Sequence, residues 1–411
     1  MSKRGSLSEY FVGAGAKVLK DTEVNPQVSN GHELQGVDTF RAFLGAPAQK
    51  QTIPITYVWL SDDADPVTLQ LNGTWYNSRL RTPQRVPEYR LYYPKKSEDV
   101  VLRAKAGDTL FLCQPKNGPL LALFCQHNST IERQLLWLFG LALTADNEIS
   151  QVDLREQNDR TIDYVTSYVL ELIGVEVVET EDDFLDRLIK KFGEAFPPTQ
   201  PFSAFARELL KDVDGRDDPD GTLIAWMDFE QRLFMTLEKH IVGKRLAQGF
   251  MTSGVPDVDG FVQYSLQVQN RRKSRAGHAF AGHVDALLKL HDIRYVREAT
   301  TEKRNGPDFL FPDEASYHDQ QFDVARLTML GAKTSCKDRW RQVLAEANRI
   351  ESKHLITLEP GISLAQTTEM KSNNLQLVLP AALHSTFLPQ QQADLMSVSR
   401  FLELVRSRQA A

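Results

Sequence analysis

Pro307-Asp308-Phe309-Leu310-Phe311 opens the stretch that decides the fold, and Glu346 closes it. Between them run Leu327-Thr328-Met329-Leu330-Gly331-Ala332, ended by Lys333, and Cys336-Lys337-Asp338-Arg339-Trp340-Arg341-Gln342. Short apolar runs bounded by polar residues predict buried strands. Asp308 then begins one strand and Lys333 ends its neighbour. From Lys337 onward, the spacing of Trp340, Val343, Leu344, Ala347 and Ile350 predicts a helix with one apolar face. Arg339 and Glu346 should project from roughly the same side of that helix, returning Glu346 beside Lys333. Two carboxylates and a lysine in this arrangement suit magnesium-dependent phosphodiester hydrolysis. Hard Mg²⁺ prefers carboxylate oxygens and keeps several waters. A bound metal neutralises developing charge and lowers the pKa of the attacking water. Lysine holds or deprotonates that water, or stabilises the pentacovalent phosphorus. The same residues fit a buried Asp–Lys ion pair joining two strands, and the pattern alone does not separate the two.

Working outward, 411 residues exceed one hydrophobic core, so two domains are expected. Hydrophobic content of 42% and charged content of 25% are ordinary for a globular chain. No run reaches the ~18 apolar residues of a membrane span. Met1-Ser2-Lys3-Arg4-Gly5-Ser6 is not followed by a signal-peptide core. The three cysteines, Cys113, Cys125 and Cys336, form no CxxC pair, which argues for a reducing compartment and against structural zinc. A cytoplasmic location is expected.

The formal net charge of −6 neither suggests nor excludes a nucleic-acid partner, because local patches decide binding. Basic residues cluster at Arg79, Arg81, Arg85 and Arg90, at Arg271, Arg272, Lys273 and Arg275, and at Lys337, Arg339 and Arg341. Each cluster fits either a solvated face or a DNA contact.

Residues 1–145 read as mainly β, with strands at Ile53–Leu60, Val67–Leu71, Tyr89–Tyr93, Thr109–Cys113 and Leu120–Cys125, turns at Asn72-Gly73 and Ala106-Gly107-Asp108, and a helix over Val37–Leu44. Such spacing suggests a barrel or sandwich. Residues 146–182 read as a connector carrying an amphipathic helix over Thr161–Leu172. From Asp183 the chain turns helical, with helices at Ala206–Val213 and Trp226–Ile241 and a solvated acidic loop, Asp214–Gly221, between them. Ser274 is a candidate N-cap. The helix after it would bury Phe280, Val284, Leu287 and Leu288 and would offer a basic start to phosphate. His278 and His283 lack the spacing of a zinc helix and read as non-ligands.

Asn270–Gly277, Pro307–Pro312, Ser316–Asp319 and Lys333–Gln342 closely resemble the catalytic domain of the EcoRII-like type IIE restriction endonucleases. The resemblance continues through His354–Glu359, Gly361–Gln366 and Leu377–Pro380, and spans roughly Asp183 to the C-terminus. More weakly, Asn30–Leu34, Tyr76–Arg79, Arg85, Glu88 and Arg90 resemble the family's effector domain, a DNA-binding pseudobarrel of the kind found in plant transcription factors.

The resemblance implies an α/β PD-(D/E)xK endonuclease and dimerisation domain over 183–411, with a mixed sheet flanked by helices, behind an effector pseudobarrel over 1–145. It implies Asp308, Lys333 and Glu346 as the catalytic set, with Asp308 and Glu346 holding Mg²⁺. Lys337, Asp338 and Arg339 match the triplet that reads the outer CC and GG of the site, a role that suits direct readout. Arg271, Arg272, Lys273 and Arg275 would contact DNA from the catalytic domain. His32, Arg81, Arg85, Glu88 and Arg90 would do so from the effector domain. The family further implies double-stranded DNA with two or more CCWGG- or CCNGG-like sites, a homodimer, autoinhibition by the effector domain, and a companion DNA methyltransferase in a restriction-modification system. Two departures are visible. A family glutamate is Ala281 here, with Asp285 one turn on, and a family lysine is His278. The alternative reading is a sequence-specific DNA-binding regulator with an inactive nuclease fold.

Overall fold

A computed structural model describes residues 6–29, 31–82, 84–141, 164–175, 184–252, 254–302, 306–336 and 339–410. Its N-terminal region is one seven-stranded sheet, from β1 (Phe11–Val18), β2 (Glu33–Gln35), β3 (Gln51–Leu60), β4 (Val67–Asn77), β5 (Tyr89–Tyr92), β6 (Thr109–Pro115) and β7 (Leu120–Cys125). The spatial order is β1-β6-β7-β3-β4-β5-β2. Only β3 and β7 run parallel; the other neighbours are antiparallel.

The continuous apolar run of β7 has a direct cause. Leu121, Leu123 and Cys125 enter one core with Phe111 and Cys113, while Leu120, Ala122 and Phe124 enter another with Leu110 and Leu112. Both faces of the sheet's centre are covered, so alternation is lost there. Asn72-Gly73, expected as a turn, instead lies within β4, paired with Pro54 and Ile53. A Cβ at Gly73 would come within 2.4 Å of Ile55 Cδ1 and 3.0 Å of the Tyr92 carbonyl oxygen. The glycine therefore serves close strand packing, not chain reversal.

The C-terminal region begins with helices. Thr199–Leu209 and the long Pro219–Gln248 replace the shorter spans expected. A hairpin of β8 (Met251–Thr252) and β9 (Val255–Pro256) leads into helix Val258–Leu290. This last helix starts at Asp257, whose side chain caps it by accepting from Gly260 N at 2.9 Å. Ser274 is thus mid-helix, and the basic run beside it has no free helix start to offer an anion. Asp220, in the stretch read as a solvated loop, is instead buried. It accepts from Ala381 N at 3.0 Å and from Val398 N at 2.8 Å, tying the helix start to the C-terminal segment.

A second sheet follows, with β10 (Val296–Arg297), β11 (Phe309–Phe311), β12 (Thr328–Ala332), β13 (Lys353–Ile356) and β14 (Leu375–Val378) in sequential order. β10, β11 and β12 pair antiparallel; β12, β13 and β14 pair parallel. Ala279, Phe280, Val284, Leu287 and Leu288 pack one helix face onto Phe309, Leu310, Phe311, Met329 and Leu330. Leu188, Phe202, Ala206, Phe229, Leu233, Phe234 and Leu237 form a satellite core among the helices.

The two regions touch where Thr130 Oγ1 donates to the Ile362 carbonyl at 3.2 Å. The expected connector is described over residues 164–175, which include helix Tyr164–Leu172; residues 142–163 and 176–183 lie outside the described residues. No described helix is long and apolar enough to cross a membrane.

Candidate active site

The site forms where β11 and β12 meet. Phe309 pairs with Leu330, which sets Asp308, just before β11, opposite the end of β12. There Asp308 Oδ2 accepts from Ala332 N at 2.7 Å and from Lys333 Nζ at 2.8 Å. Lys333 N in turn donates to the Ile356 carbonyl at 3.0 Å, so β13 fixes the backbone that carries the lysine. The lysine and aspartate side chains are 20% and 30% exposed, so the pair borders solvent and is not a sealed ion pair.

Glu346 joins them by a different route from the one expected. The helix spans only Trp340–Leu344. Glu346 follows it, and Ala347 turns the chain with a φ of 47°. Trp340, Val343, Ala347 and Ile350 are buried as expected. Glu346 Oε2 is buried without a hydrogen-bond partner. Burial pushes the Glu346 carboxyl up to about 7, with Lys333 opposing the shift and the Asp308 charge adding to it.

The turn holding Glu346 is fastened by residues that sequence reading missed. Lys353 Nζ donates to the carbonyls of Glu346 at 2.5 Å, Ala347 at 3.0 Å and Ile350 at 3.0 Å. Glu302 Oε2 accepts from Asn348 N at 3.1 Å. A lysine opening the short run Lys353-His354-Leu355-Ile356 is the available signal. Burial holds the Lys353 ammonium below the usual lysine range.

A buried carboxylate oxygen without a partner, beside a second carboxylate, suits a hard cation. No group of three or more His, Cys, Asp or Glu side chains that could hold a metal occurs among the described residues. Asp308 and Glu346 would therefore hold such an ion together with water and substrate oxygens. Asp285 accepts from Lys289 at 2.8 Å and from the Tyr295 hydroxyl at 2.7 Å.

Of the expected reading triplet, Lys337 and Asp338 lie outside the described residues, and Arg339 is exposed. Cys336 N, just before them, is anchored on Glu359 Oε2 at 2.5 Å.

The basic run on helix Val258–Leu290 departs from expectation. Arg275 is 7% exposed. It pairs with Glu230 at 3.0 Å and lies over the rings of Phe202 and Phe234. It is a core residue, corrected from a DNA contact. Arg272 pairs with Glu238 at 2.6 Å, and Arg271 stacks on Phe196 with 4.0 Å to the centroid. Lys273 is exposed. His283 is buried 2.9 Å from Glu230, and His278 bonds the Ser274 carbonyl of its own helix.

On the N-terminal sheet, the expected effector residues gather at the β2-β5-β4 edge. Arg90 pairs with Glu88 at 2.9 Å and also with Glu33; Arg79 pairs with Glu88 at 2.6 Å. The Arg90 hydrogen bond is the main reason the Glu88 carboxyl sits below its usual range. Arg81 and Arg85 are exposed in the β4–β5 connection. His32 lies 3.4 Å from Glu98 and edge-on to Tyr93.

Residues 234–402 match the family described as EcoRII C terminal. The matched residues include the mixed second sheet and its flanking helices. The chain is 41% identical over 186 residues to the Type II restriction enzyme EcoRII of Escherichia coli. That match covers 45% of this chain and 45% of the relative, so it spans less than half the length of each. Two solved structures are more distantly alike. Metal-depleted Ecl18kI in complex with uncleaved DNA has a TM-score of 0.43 at 18% identity, covering 55% of this chain and 83% of that one. The restriction endonuclease PspGI–substrate DNA complex has a TM-score of 0.42 at 16% identity, covering 52% and 93%. At these scores neither likeness carries weight beside the family and enzyme matches.

Proposed function

We propose that this chain is a type IIE restriction endonuclease that hydrolyses double-stranded DNA at a CCWGG- or CCNGG-like site, with Mg²⁺ and as a homodimer. The observation that carries the proposal is the corner where Asp308 grips Ala332 N and Lys333 Nζ while Glu346 keeps a buried carboxylate oxygen without a partner. Its setting inside the stretch that matches the EcoRII C-terminal family favours nuclease chemistry over a structural ion pair.

Asp308 and Glu346 are the residues to hold the metal. When bound, Mg²⁺ would supply charge neutralisation at the scissile phosphate and a more acidic water. Glu346 must first give up its proton, which its raised pKa makes sensitive near neutral pH. The Asp308 carboxylate and the β12 backbone orient Lys333 Nζ, whose charge is suited to stabilise the developing phosphorane. Arg339, with Lys337 and Asp338, is assigned to base reading; cations suit guanine edges and a carboxylate suits the cytosine amino group. Cutting two strands of a palindromic site calls for two catalytic domains related by a two-fold axis.

Residues 1–145 are assigned as the effector domain and 183–411 as the catalytic domain. Exposed Arg81 and Arg85, with the Glu88–Arg90 pair and His32, would bind a second copy of the site. Through its contact with the catalytic region, the effector domain would restrain cleavage. The run Arg271–Arg275 is not retained as a DNA contact, since three of its four cations are engaged within the protein.

Digestion of a sequenced plasmid in Mg²⁺, with mapping of the cut ends, tests the reading. Discrete cuts at CC-N-GG-type sites are expected. Intact DNA carrying both CCWGG and CCNGG sites would overturn it, and binding in Ca²⁺ without cutting in Mg²⁺ would instead support the inactive regulator. A chain beginning near Phe184 should cut single-site DNA faster than the full chain; equal or slower cutting removes the autoinhibition alone.

A further inference from the structure

Exposed apolar side chains are not spread evenly over this chain. Thirteen large hydrophobic residues are exposed among those described, and seven of them fall between Leu246 and Leu266. They are Leu246, Met251, Val255, Val258, Phe261, Val262 and Leu266, at 46% to 66% exposure. Isolated exposed hydrophobics need no explanation, but a concentrated group marks a surface that something covers. These seven occupy one arm: the end of helix Pro219–Gln248, the β8–β9 hairpin and the first turns of helix Val258–Leu290. The arm is ordered from within. Phe250 packs its ring 5.4 Å from Phe261 and 5.6 Å from Tyr264, and Arg245 stacks on Phe250 at 4.0 Å. It is thus a built surface whose outer side chains still face water.

The pattern along helix Val258–Leu290 indicates the occupant. Val258, Val262 and Leu266 recur every fourth residue and share one face. Asp259 and Lys273, both exposed, lie on that face as well. They sit seven residues to either side of Leu266 (266 − 259 = 7; 273 − 266 = 7). A second copy of the helix, antiparallel and crossing at Leu266, would bring Asp259 of each copy to Lys273 of the other. Leu266 would meet its own copy at the centre, Val262 would lie over Asn270 of the other copy, and the opposite charges would sit farther out. A surface complementary to itself about a two-fold axis is what an isologous dimer requires.

We propose that this arm is the surface on which a second copy of the chain docks, with Val262 and Leu266 at its centre and Asp259 and Lys273 as reciprocal ion pairs. The proposal rests on the homodimer reading above and adds where the two copies meet. It also gives Lys273 a role as a contact between protein copies, leaving none of the four basic residues of this run to DNA.

Sedimentation velocity on the full chain tests it, with Val262→Glu/Leu266→Glu as the disrupting pair. Both positions are about half exposed, so the substitutions should leave the circular dichroism spectrum unchanged. The wild type should sediment as a dimer at micromolar concentration and the pair variant as a monomer. Val324→Glu, at an exposed apolar position elsewhere, should stay dimeric. Asp259→Lys and Lys273→Asp should each weaken association by about tenfold, and the two together should recover most of it, since like charges oppose and the reversed pair attracts. A dimeric pair variant would overturn the surface and leave the homodimer reading standing. A monomeric wild type at tens of micromolar would overturn both. Failure of the double reversal to recover association would overturn the antiparallel register. Loss of DNA affinity by a pair variant that stays dimeric would assign the arm to nucleic acid instead.

Discussion

At the β2-β5-β4 edge every carboxylate of the cluster has an arginine. Glu88 holds Arg79 and Arg90, and Glu33 holds Arg90. At the end of β11 and β12 the count is different. Asp308 has Lys333, but Glu346 is drawn to the same corner with a buried oxygen left unpartnered. The same residue types therefore end in opposite electrostatic states. In the first cluster charge is compensated and bordered by solvent, so its members can exchange partners with a ligand at small cost. In the second, desolvation holds a carboxyl near neutral pH, a state that the protein backbone must be built to maintain. Lys353 and Glu302 supply that restraint by fastening the turn around Ala347.

The largest effect that separates the two clusters is on the chemical step. Asp308→Asn should reduce single-turnover cleavage by about a thousandfold or more while Ca²⁺-supported DNA binding persists, because transition-state charge stabilisation is lost. Arg90→Ala in the full chain should leave the single-turnover rate at one site unchanged. Equal losses in the two variants would erase the distinction.

A second test concerns the helical core. Arg275→Ala leaves Glu230 buried without its cation, and breaking a buried pair typically costs about 3–5 kcal/mol. Urea denaturation should show a loss of that size. A variant that unfolds like wild type but binds DNA weakly would return Arg275 to a DNA role.

The third test sharpens the state of Glu346. Its folded pKa is raised from 4.5 to about 7, so the carboxyl contributes stability below about pH 4.5 and loses it as pH rises through 7. Glu346→Gln, which stays neutral, should therefore be more stable than wild type at pH 8 without metal, by on the order of 1–3 kcal/mol after allowing for partial exposure. The difference should vanish near pH 4. Thermal melts across that range check it, and a constant difference would contradict it. In the wild type, the acid limb of cleavage should move to lower pH as Mg²⁺ is raised, because the cation competes with the proton.

The smallest effect belongs to the compensated edge. Glu88→Ala removes a partly exposed partner and should change unfolding stability by no more than about 1 kcal/mol. A loss as large as that of Arg275→Ala would show that the edge is structural.

Much of the proposed catalytic corner was legible because strands β11 and β12 are short apolar runs whose ends carry Asp308 and Lys333. Glu346 was legible as a residue but not in its placement. No sequence pattern announces that Ala347 adopts a positive φ and stops the helix at Leu344. By composition Arg275 is indistinguishable from its neighbours Arg271, Arg272 and Lys273. Its register with Val268 and Ala279, both buried, was the overlooked signal, since positions seven and four residues away share a helix face. Asn72-Gly73 suggests a turn by composition, whereas tertiary packing against Ile55 and Tyr92 sets its use.

The most direct measurement of the central claim compares the full chain with Lys333→Ala on one DNA duplex carrying the mapped site. Binding is measured in Ca²⁺ and cleavage in Mg²⁺. The account predicts similar affinity for the two proteins, with strand cleavage by the wild type and none detectable by the variant. Cleavage by Lys333→Ala at the wild-type rate would contradict it.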